Sequence, residues 1–488
     1  MTDSPARRVW RQFIVSPPAP YLVAFTFYLL TLAPTLLWGD DAEFQRRAFT
    51  LDLGAGITDH PLYLVWAHLF AMLPLGDIAF RVNLCSAVSA AAGVGIVHTL
   101  LRRLDASPRA AWIGASALAV SQAYWMHAVR TEVYSNYLAL FALFLFAGLR
   151  WMQTKRAGWL ILASFLLSLS LSIHVLALTA LPGLLLLALH ARNVRHAWLS
   201  LAGFAAGLIP LALFLVGTGN GELGGQLLDT LFVALSPARW PADAALFAGF
   251  LLYQFPLAFL LAVPGLRRLW RNDRWAGIFL AVVGLGNVVA VFDMQAPDRH
   301  VFYLPFYVIV ALFIGLGVDW LVERWRAGLW LELSALLLPI ILYVAVPLSL
   351  NALHLNPFGF RDLPYRNGNL FQLLPVKIGY IGPRQFGEDV LESLPADAVV
   401  LADHTIRQNL LFLQLVEGRR PDVELIEIYS GQGKQLPYVQ SVIEDRPVFV
   451  GAVDRYLDRE EIEAQYQIEP YGWIYQIEVP GGVHASSD

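Results

Sequence analysis

The sequence predicts a polytopic α-helical membrane protein of about eleven transmembrane helices, followed by a soluble α/β domain. Hydrophobic residues make up 57% and charged residues 15% of the 488 residues, an apolar balance beyond that of soluble domains of this length. Apolar runs of membrane-spanning length, about 20 residues, recur up to about residue 350. After that point the pattern changes to charged segments that alternate between strand and helix. We therefore expect a transmembrane domain at 1–351 and a soluble domain at 352–488.

The predicted spans are apolar runs separated by short polar or basic loops. They are 20–38, 80–101, 110–128, 133–149, 158–173, 175–190, 197–217, 243–264, 275–293, 301–321 and 329–350. The apolar stretch 158–190 is too long for one helix, so we divide it into two spans near His174.

The basic residues of the short loops predict the orientation. One set of loops holds about 17 arginines and lysines and the opposite set about 6, which predicts a cytoplasmic N-terminus. The acids then gather in the outward loops: Asp40, Asp41, Glu43, Asp52, Asp59, Glu132, Glu222, Asp293 and Asp298. An odd number of spans also places the tail outside. The sequence thus predicts a multi-pass protein of the cell (inner) membrane with a periplasmic or otherwise extracytoplasmic C-terminal domain.

The tail carries the pattern of a small α/β unit. Segments 397–404, 422–428 and 446–453 are short apolar runs typical of buried strands. Segment 406–418 has helical spacing and is closed by a glycine. Strands that alternate with helices indicate an α/β arrangement.

Charge and cysteine content exclude several classes of function. The formal net charge is −4, and no run of basic residues suggests binding to nucleic acid. The single cysteine, Cys85, excludes a disulfide framework and a thiolate zinc site within one chain.

The segment Trp38–Phe44 places three carboxylates, those of Asp40, Asp41 and Glu43, directly after the first span. These acids suit general-base chemistry at a membrane surface. They are also hard oxygen ligands of the kind that Mg²⁺ or Ca²⁺ prefers. Alternatively, they are ordinary residues of a solvated loop or of the first turn of a helix, where the helix dipole favours acids.

A resemblance to a known family rests on the order of five segments. These are GDDAEF at 39–44, DHPLY at 59–63, FRVNLCSAVSAAAGV at 80–94, RTEVYSNYLAL at 130–140 and SLSLSIHVLAL at 168–178. In this order they resemble the DUF2723 family of protein O-mannosyltransferase-like proteins, which belong to the GT-C glycosyltransferases. The first family motif carries over to Gly39, Asp40, Glu43 and Phe44, while Asp41 replaces a serine. Of the second motif, His60 and Pro61 are clear.

This resemblance implies a GT-C-like membrane fold and an inverting glycosyltransferase. Its donor would be a sugar linked to a polyprenyl phosphate, its acceptor a protein, glycan or lipid, and its sugar mannose by the family's best-known association. Asp40, Asp41 and Glu43 are the candidate catalytic residues, with Asp40 or Asp41 as the base. No metal or other cofactor is expected, because the mannosyltransferase-like branch generally uses none. A transporter or flippase of a lipid-linked or polar substrate and a non-catalytic receptor remain the alternatives.

Six further residues are candidates for binding the substrate: His60, Glu132, Tyr134, His174, Arg299 and His300. For the donor phosphate, the candidates are Arg299, His300, Arg130 and His174, and we favour Arg299 because it lies in a short polar loop at the end of a span. Glu132 also fits the start of a helix, and His174 fits a hydrogen-bonded hinge between two spans.

Overall fold

The computed structural model describes residues 16, 18–191, 193–219, 236–296, 298–325 and 333–480. Some residues of the sequence-based topology lie outside these described residues, namely the basic N-terminal segment, Arg192, Glu222, Arg326 and the start of the predicted span 329–350. In the described part of the first half of the chain, the regular elements are helices. Its helices are α1 (Ala19–Leu29), α2 (Asp40–Thr50), α3 (Pro61–Ala71), α4 (Ile78–Arg103), α5 (Pro108–Ala119), α6 (Gln122–Ala128), α7 (Val133–Thr154), α8 (Ala157–Ser170), α9 (Leu181–His190) and α10 (Val194–Thr218).

The helices of the second half continue as far as the start of the tail. They are α11 (Trp240–Gln254), α12 (Ala262–Asn272), α13 (Arg274–Val291), α14 (Arg299–Phe302), α15 (Leu304–Trp325) and α16 (Leu338–Ala352). Local capping fixes several starts: the Asp77 side chain accepts a hydrogen bond from the amide of Phe80 at the start of α4, and the Ser107 hydroxyl accepts one from Ala110 at the start of α5.

Six helices in the described residues are long and apolar enough to cross a membrane, and a bent helix pair raises this number to seven. The six are α4, α7, α10, α13, α15 and α16, the last together with the π-helical turn before it. An integral membrane protein is therefore confirmed, whereas the predicted count of about eleven spans is not.

The difference arises because several predicted spans are interrupted. Segment 110–128 divides at Ser121 into α5 and α6, and segment 175–190 begins as a 3₁₀ turn at Val175–Ala180 before α9. Segment 243–264 bends by 98° after α11, beside Pro256, a residue that cannot continue a helical hydrogen-bond ladder. Hydropathy detects the apolar run but does not show where the helix breaks.

The tail contains a five-stranded sheet flanked by helices. Its strands are β1 (Val399–Ala402), β2 (Glu424–Glu427), β3 (Val448–Val450), β4 (Gln467–Tyr471) and β5 (Ile474–Glu478), in the order β2-β1-β3-β5-β4. The first three strands are parallel and the last two antiparallel. The helices are α17 (Gly368–Leu373), α18 (Gly382–Ser393), α19 (His404–Glu417), α20 (Gln435–Val442) and α21 (Arg459–Glu463). The three predicted strand segments contain β1, β2 and β3.

The tail packs directly on the loop that carries the acid cluster. Trp38 is buried against Phe386 of α18, with ring centroids 5.1 Å apart, and its indole donates to the hydroxyl of Tyr380. The amide of Asn409 in α19 donates to the carbonyl of Leu37 at 3.2 Å. The division at 351/352 stays a prediction, but these contacts show that one hydrophobic cluster includes residues from both sides of it.

Candidate functional site

A cavity of about 830 Å³ lies between the acid-bearing loop and the span α13. Its polar end is lined by Asp40, Thr58, His60, Tyr134 and Asp298. Its other wall is apolar and includes Leu285 and Val289 of α13, which are 60% and 75% exposed. Helix α13 is a candidate membrane span. The cavity therefore connects an apolar surface of a candidate span with a carboxylate.

Gly39 and helix α2 place the three acids of the cluster. Gly39 has φ +57°, a conformation that glycine adopts without strain, and it turns the chain so that α2 begins at Asp40. Asp40, Asp41 and Glu43 all fall in the first turn, where the helix dipole stabilises negative charge. Asp41 is buried, whereas the Asp40 side chain is 68% exposed and lines the cavity. Asp40 is thus the acid of the pair that a substrate can reach.

Asp41 forms a buried ion pair with Arg130. Its carboxylate oxygens lie 2.9 and 2.7 Å from Nε and Nη2 of the guanidinium, and Glu132 accepts from the same guanidinium at 3.3 Å. Burial raises the pKa of Asp41, and the positive charge of Arg130 opposes that shift. Two of the candidate acids, Asp41 and Glu132, therefore form ion pairs with the same arginine.

Asp40 has a partner from the tail. The imidazole Nε2 of His404, the first residue of α19, lies 3.0 Å from an Asp40 oxygen and 3.4 Å from a Glu43 oxygen. The other ring nitrogen, Nδ1, lies 3.1 Å from Glu427 at the end of β2. Hydrogen bonds with Asp40 and Glu427 raise the pKa of His404 to about 10, and the bond with His404 lowers the pKa of Asp40. The imidazole thus lies between three carboxylates, which favour its protonated form.

Within the described part of the chain, three of these residues have a spacing that would suit a metal ion. One ligand atom each from Asp40, Glu43 and His404 lies within 4.8 Å of the others. Either a proton on Nε2 or a divalent cation in its place would neutralise the carboxylates of Asp40 and Glu43. The expectation that the protein needs no metal therefore stays a prediction.

Three of the predicted substrate-binding residues line the cavity together. The rings of His60 and His174 stack with centroids 5.3 Å apart, and the Tyr134 ring lies 5.2 Å from that of His174. His60 is fixed by a 2.6 Å contact between its Nδ1 and the carbonyl of Ile173. His174 accepts a hydrogen bond from the amide of Leu176, as the hinge interpretation predicts. These aromatic rings form one wall of the cavity beside Asp40.

Arg299 and His300 do not line the cavity. The guanidinium of Arg299 is buried, pairs with Asp243 of α11 at 2.8 Å and donates to the carbonyl of Phe292. His300 packs against Phe250 with ring centroids 5.7 Å apart. The expected role of Arg299 at the donor phosphate finds no support in this placement, because Asp243 already neutralises its charge. Asp243 lies far away in sequence, so local sequence gives no sign of the pair.

Three basic side chains surround the ring of Phe371 beside the buried Asp41. The charged ends of Arg130, Arg366 and Lys377 lie 5.4, 4.4 and 5.2 Å from the ring centroid. Lys377 donates to two backbone carbonyls, whereas the buried Nε of Arg366 has no hydrogen-bond partner among the described residues. Two carboxylates, those of Asp41 and Glu132, pair with this group through Arg130. We name these three residues the cation cluster.

One family model and one curated relative match part of this chain. The family model described as the Protein O-mannosyl-transferase TMEM260 N-terminal domain matches residues 40–197, which begin at Asp40 and include about half of the residues that line the cavity. Protein O-mannosyl-transferase TMEM260 of Mus musculus is 26% identical and is matched by 82% of this chain. The chain spans 60% of the length of that relative. The DUF2723 assignment stays a prediction.

Solved structures with low sequence identity match almost the whole chain. ArnT from Cupriavidus metallidurans, in the apo state, has a TM-score of 0.60 at 14% identity and covers 97% of this chain and 98% of its own. The chain has the ArnT fold. The expected GT-C fold is thereby confirmed. ArnT bound to undecaprenyl phosphate gives a TM-score of 0.59 at 13% identity, again with 97% and 98% coverage. The oligosaccharyltransferase of Archaeoglobus fulgidus gives 0.50 at 12% identity, with 92% and 70% coverage.

Proposed function

We propose that this protein is an integral membrane glycosyltransferase that moves a sugar from a polyprenyl phosphate to an acceptor hydroxyl. The observation that carries this proposal is the cavity, which joins an apolar wall on the candidate membrane span α13 to the accessible carboxylate of Asp40. A donor with a hydrocarbon chain and a polar head group fits both ends. Mannose is the sugar we favour, because the matching relative is named an O-mannosyl-transferase.

The reaction is a single displacement with Asp40 as the general base. The acceptor oxygen attacks the anomeric carbon, the bond from that carbon to the phosphate oxygen breaks, and the acceptor proton passes to Asp40. The polyprenyl phosphate leaves with the bonding electrons, and the configuration at the anomeric carbon inverts. The low pKa of Asp40 keeps it ionised at neutral pH, and its exposure leaves it accessible to an acceptor.

The cation cluster is the partner we propose for the leaving phosphate. Guanidinium and ammonium groups stabilise a developing phosphate charge best when they are already positioned and partly desolvated. Arg130 and Arg366 approach the same ring, and Arg130 pairs with Asp41, the residue after Asp40. Within the cluster, Arg366 carries this assignment, because its buried Nε has no hydrogen-bond partner among the described residues, whereas the guanidinium of Arg299 is buried and paired with Asp243.

The basic-loop asymmetry supports an orientation in which the site and the tail face the extracytoplasmic side of the cell membrane. The acceptor, whether protein, glycan or lipid, would approach Asp40 from that side. No role for nucleic acid is proposed, because the chain has no strongly basic segment.

A donor panel tests this function. Purified protein in nanodiscs is incubated with radiolabelled polyprenyl phosphate mannose, glucose, galactose and aminoarabinose, with peptide, glycan and lipid acceptors. Transfer from one donor, with release of polyprenyl phosphate, is the expected result. Donor binding without transfer, accompanied by movement of the intact donor between leaflets of a vesicle, would instead support a flippase.

A further inference from the structure

The proposed reaction requires that Asp40 is held in one orientation. Contacts between the tail and residues 37–40 provide this restraint. Helix α19 begins directly after β1, and its first turn lies against this loop. The amide of Gly39 donates to the carbonyl of Thr405 at 3.3 Å, and Asn409 holds the carbonyl of Leu37. These backbone contacts fix the distance between the start of α19 and the start of α2. They also bring His404 to Asp40 across 364 positions of sequence.

His404 is itself held in place from the tail side. Glu427 fixes its Nδ1, and Glu427 is in turn bound by Arg407 at 3.0 Å and by the hydroxyl of Tyr429. Asp403, the residue before it, accepts two hydrogen bonds from Arg361 at 2.9 and 2.8 Å and caps α19. The imidazole therefore approaches Asp40 in an orientation that is set before any substrate binds.

The contact involves one of the two oxygens of Asp40. His404 binds Oδ1, and no hydrogen bond of the described residues involves the other oxygen. An imidazole that holds one oxygen fixes the plane of the carboxylate and leaves the second oxygen free to accept a proton from an acceptor. A similar relation in hydrolases, where a carboxylate orients a histidine, shows that such pairs align the reacting group.

We propose that His404 is a positioning residue for the reaction, so that the tail completes the active site. The inference rests on the proposed function. In this arrangement Glu427 orients His404, His404 orients Asp40, and Asp40 accepts the acceptor's proton. The tail then has a role in the reaction itself beyond any contact with an acceptor.

The test compares His404→Ala and His404→Gln with wild type in the full chain, in nanodiscs, with the donor that the panel identifies. We expect His404→Ala to lower kcat about 10²-fold, the scale of a misplaced reacting group, and to change the donor KM less than about threefold. Because the alanine leaves room for a small ligand, added imidazole should restore part of the activity. The kcat of His404→Gln, which keeps a hydrogen-bond donor, should lie between that of wild type and that of His404→Ala. His354→Ala, at an exposed histidine of the loop after α16, is the matched control and should behave as wild type.

Several results would overturn the inference. A His404→Ala protein with wild-type kcat would show that Asp40 needs no such partner. Loss of activity that follows a loss of thermal stability and does not respond to imidazole would indicate a structural role alone. Activity of the wild type that is abolished by EDTA and restored by Mn²⁺ would make His404 a metal ligand. If wild type and His404→Ala transfer sugar equally well, the inference about His404 fails but the proposed function stands. If the wild type transfers none of the panel sugars, the proposed function fails and the inference fails with it.

Discussion

Asp41 and Arg130 form a two-contact ion pair in which the carboxylate is fully buried. The pair joins α2 to the loop before α7 and lies directly behind Asp40. Two neighbouring acids thus have different environments, one buried and neutralised, the other exposed in the cavity. This difference is the reason why we propose Asp40, and not Asp41, as the reactive acid.

Asp41→Ala is expected to destabilise the protein rather than remove its chemistry selectively. Loss of one partner leaves the Arg130 charge buried with Glu132 as its remaining partner, and breaking a buried pair typically costs about 3–5 kcal/mol. Thermal unfolding of the detergent-solubilised variant measures the effect. An unchanged melting temperature would show that the pair contributes little.

Arg366→Ala is expected to weaken donor binding. A hydrogen bond to a charged group contributes about 1.5–3 kcal/mol, so the Kd for a polyprenyl phosphate sugar should rise by roughly 10-fold or more. Affinity is measured in nanodiscs, with Arg459→Ala as a control because that arginine forms an exposed pair with Glu463 in the tail. Equal affinity in both variants would remove the cation cluster from the phosphate site.

Arg299→Ala should lower stability and leave donor affinity nearly unchanged. Its guanidinium neutralises Asp243 in a buried pair, so its removal leaves a buried carboxylate without its partner. The double variant Arg299→Ala/Asp243→Ala should recover part of the stability. A large loss of donor affinity at normal stability would return the phosphate to Arg299.

The His404 contact should make stability depend on pH at the alkaline side. The pKa of His404 is raised from 6.5 to about 10, so its stabilising charge is fully present below 6.5 and is lost as pH rises towards 10. The groups that face it are Asp40, Glu43 and Glu427, with Arg407 and Tyr429 behind Glu427. The difference in melting temperature between wild type and His404→Gln should therefore shrink between about pH 7 and 10. A constant difference would show that the charge of His404 does not stabilise the fold.

Much of the architecture could be predicted from sequence because hydropathy, loop charge and strand patterns are local. These signals predict a membrane protein, the apolar segment that contains each long helix, and the three parallel strands. They could not count the spans, because a break such as the one at Ser121 changes the helix while the apolar character continues.

The site was predictable in part for the same reason. Asp40, His60, Tyr134 and His174 lie in motifs near one another in sequence or in the family pattern, and the structure brings all four to one cavity. The partners of Arg299 and Asp40 could not be predicted, because Asp243 and His404 lie on distant elements and reach them through folding. His404 also follows an apolar strand segment, and a polar residue at that position is typical of the start of a helix, so the sequence gives no sign of its contact with Asp40.

The most direct test of the account is sugar transfer by Asp40→Asn, measured in nanodiscs with the donor that the wild type uses. Asparagine has nearly the same shape and accepts the hydrogen bond from His404, but it cannot take the proton of the acceptor. We expect kcat to fall by about 10²–10⁴-fold, while the protein stays folded and its donor affinity stays near that of wild type. Turnover close to that of the wild type would contradict it, because Asp40 would then not be the base.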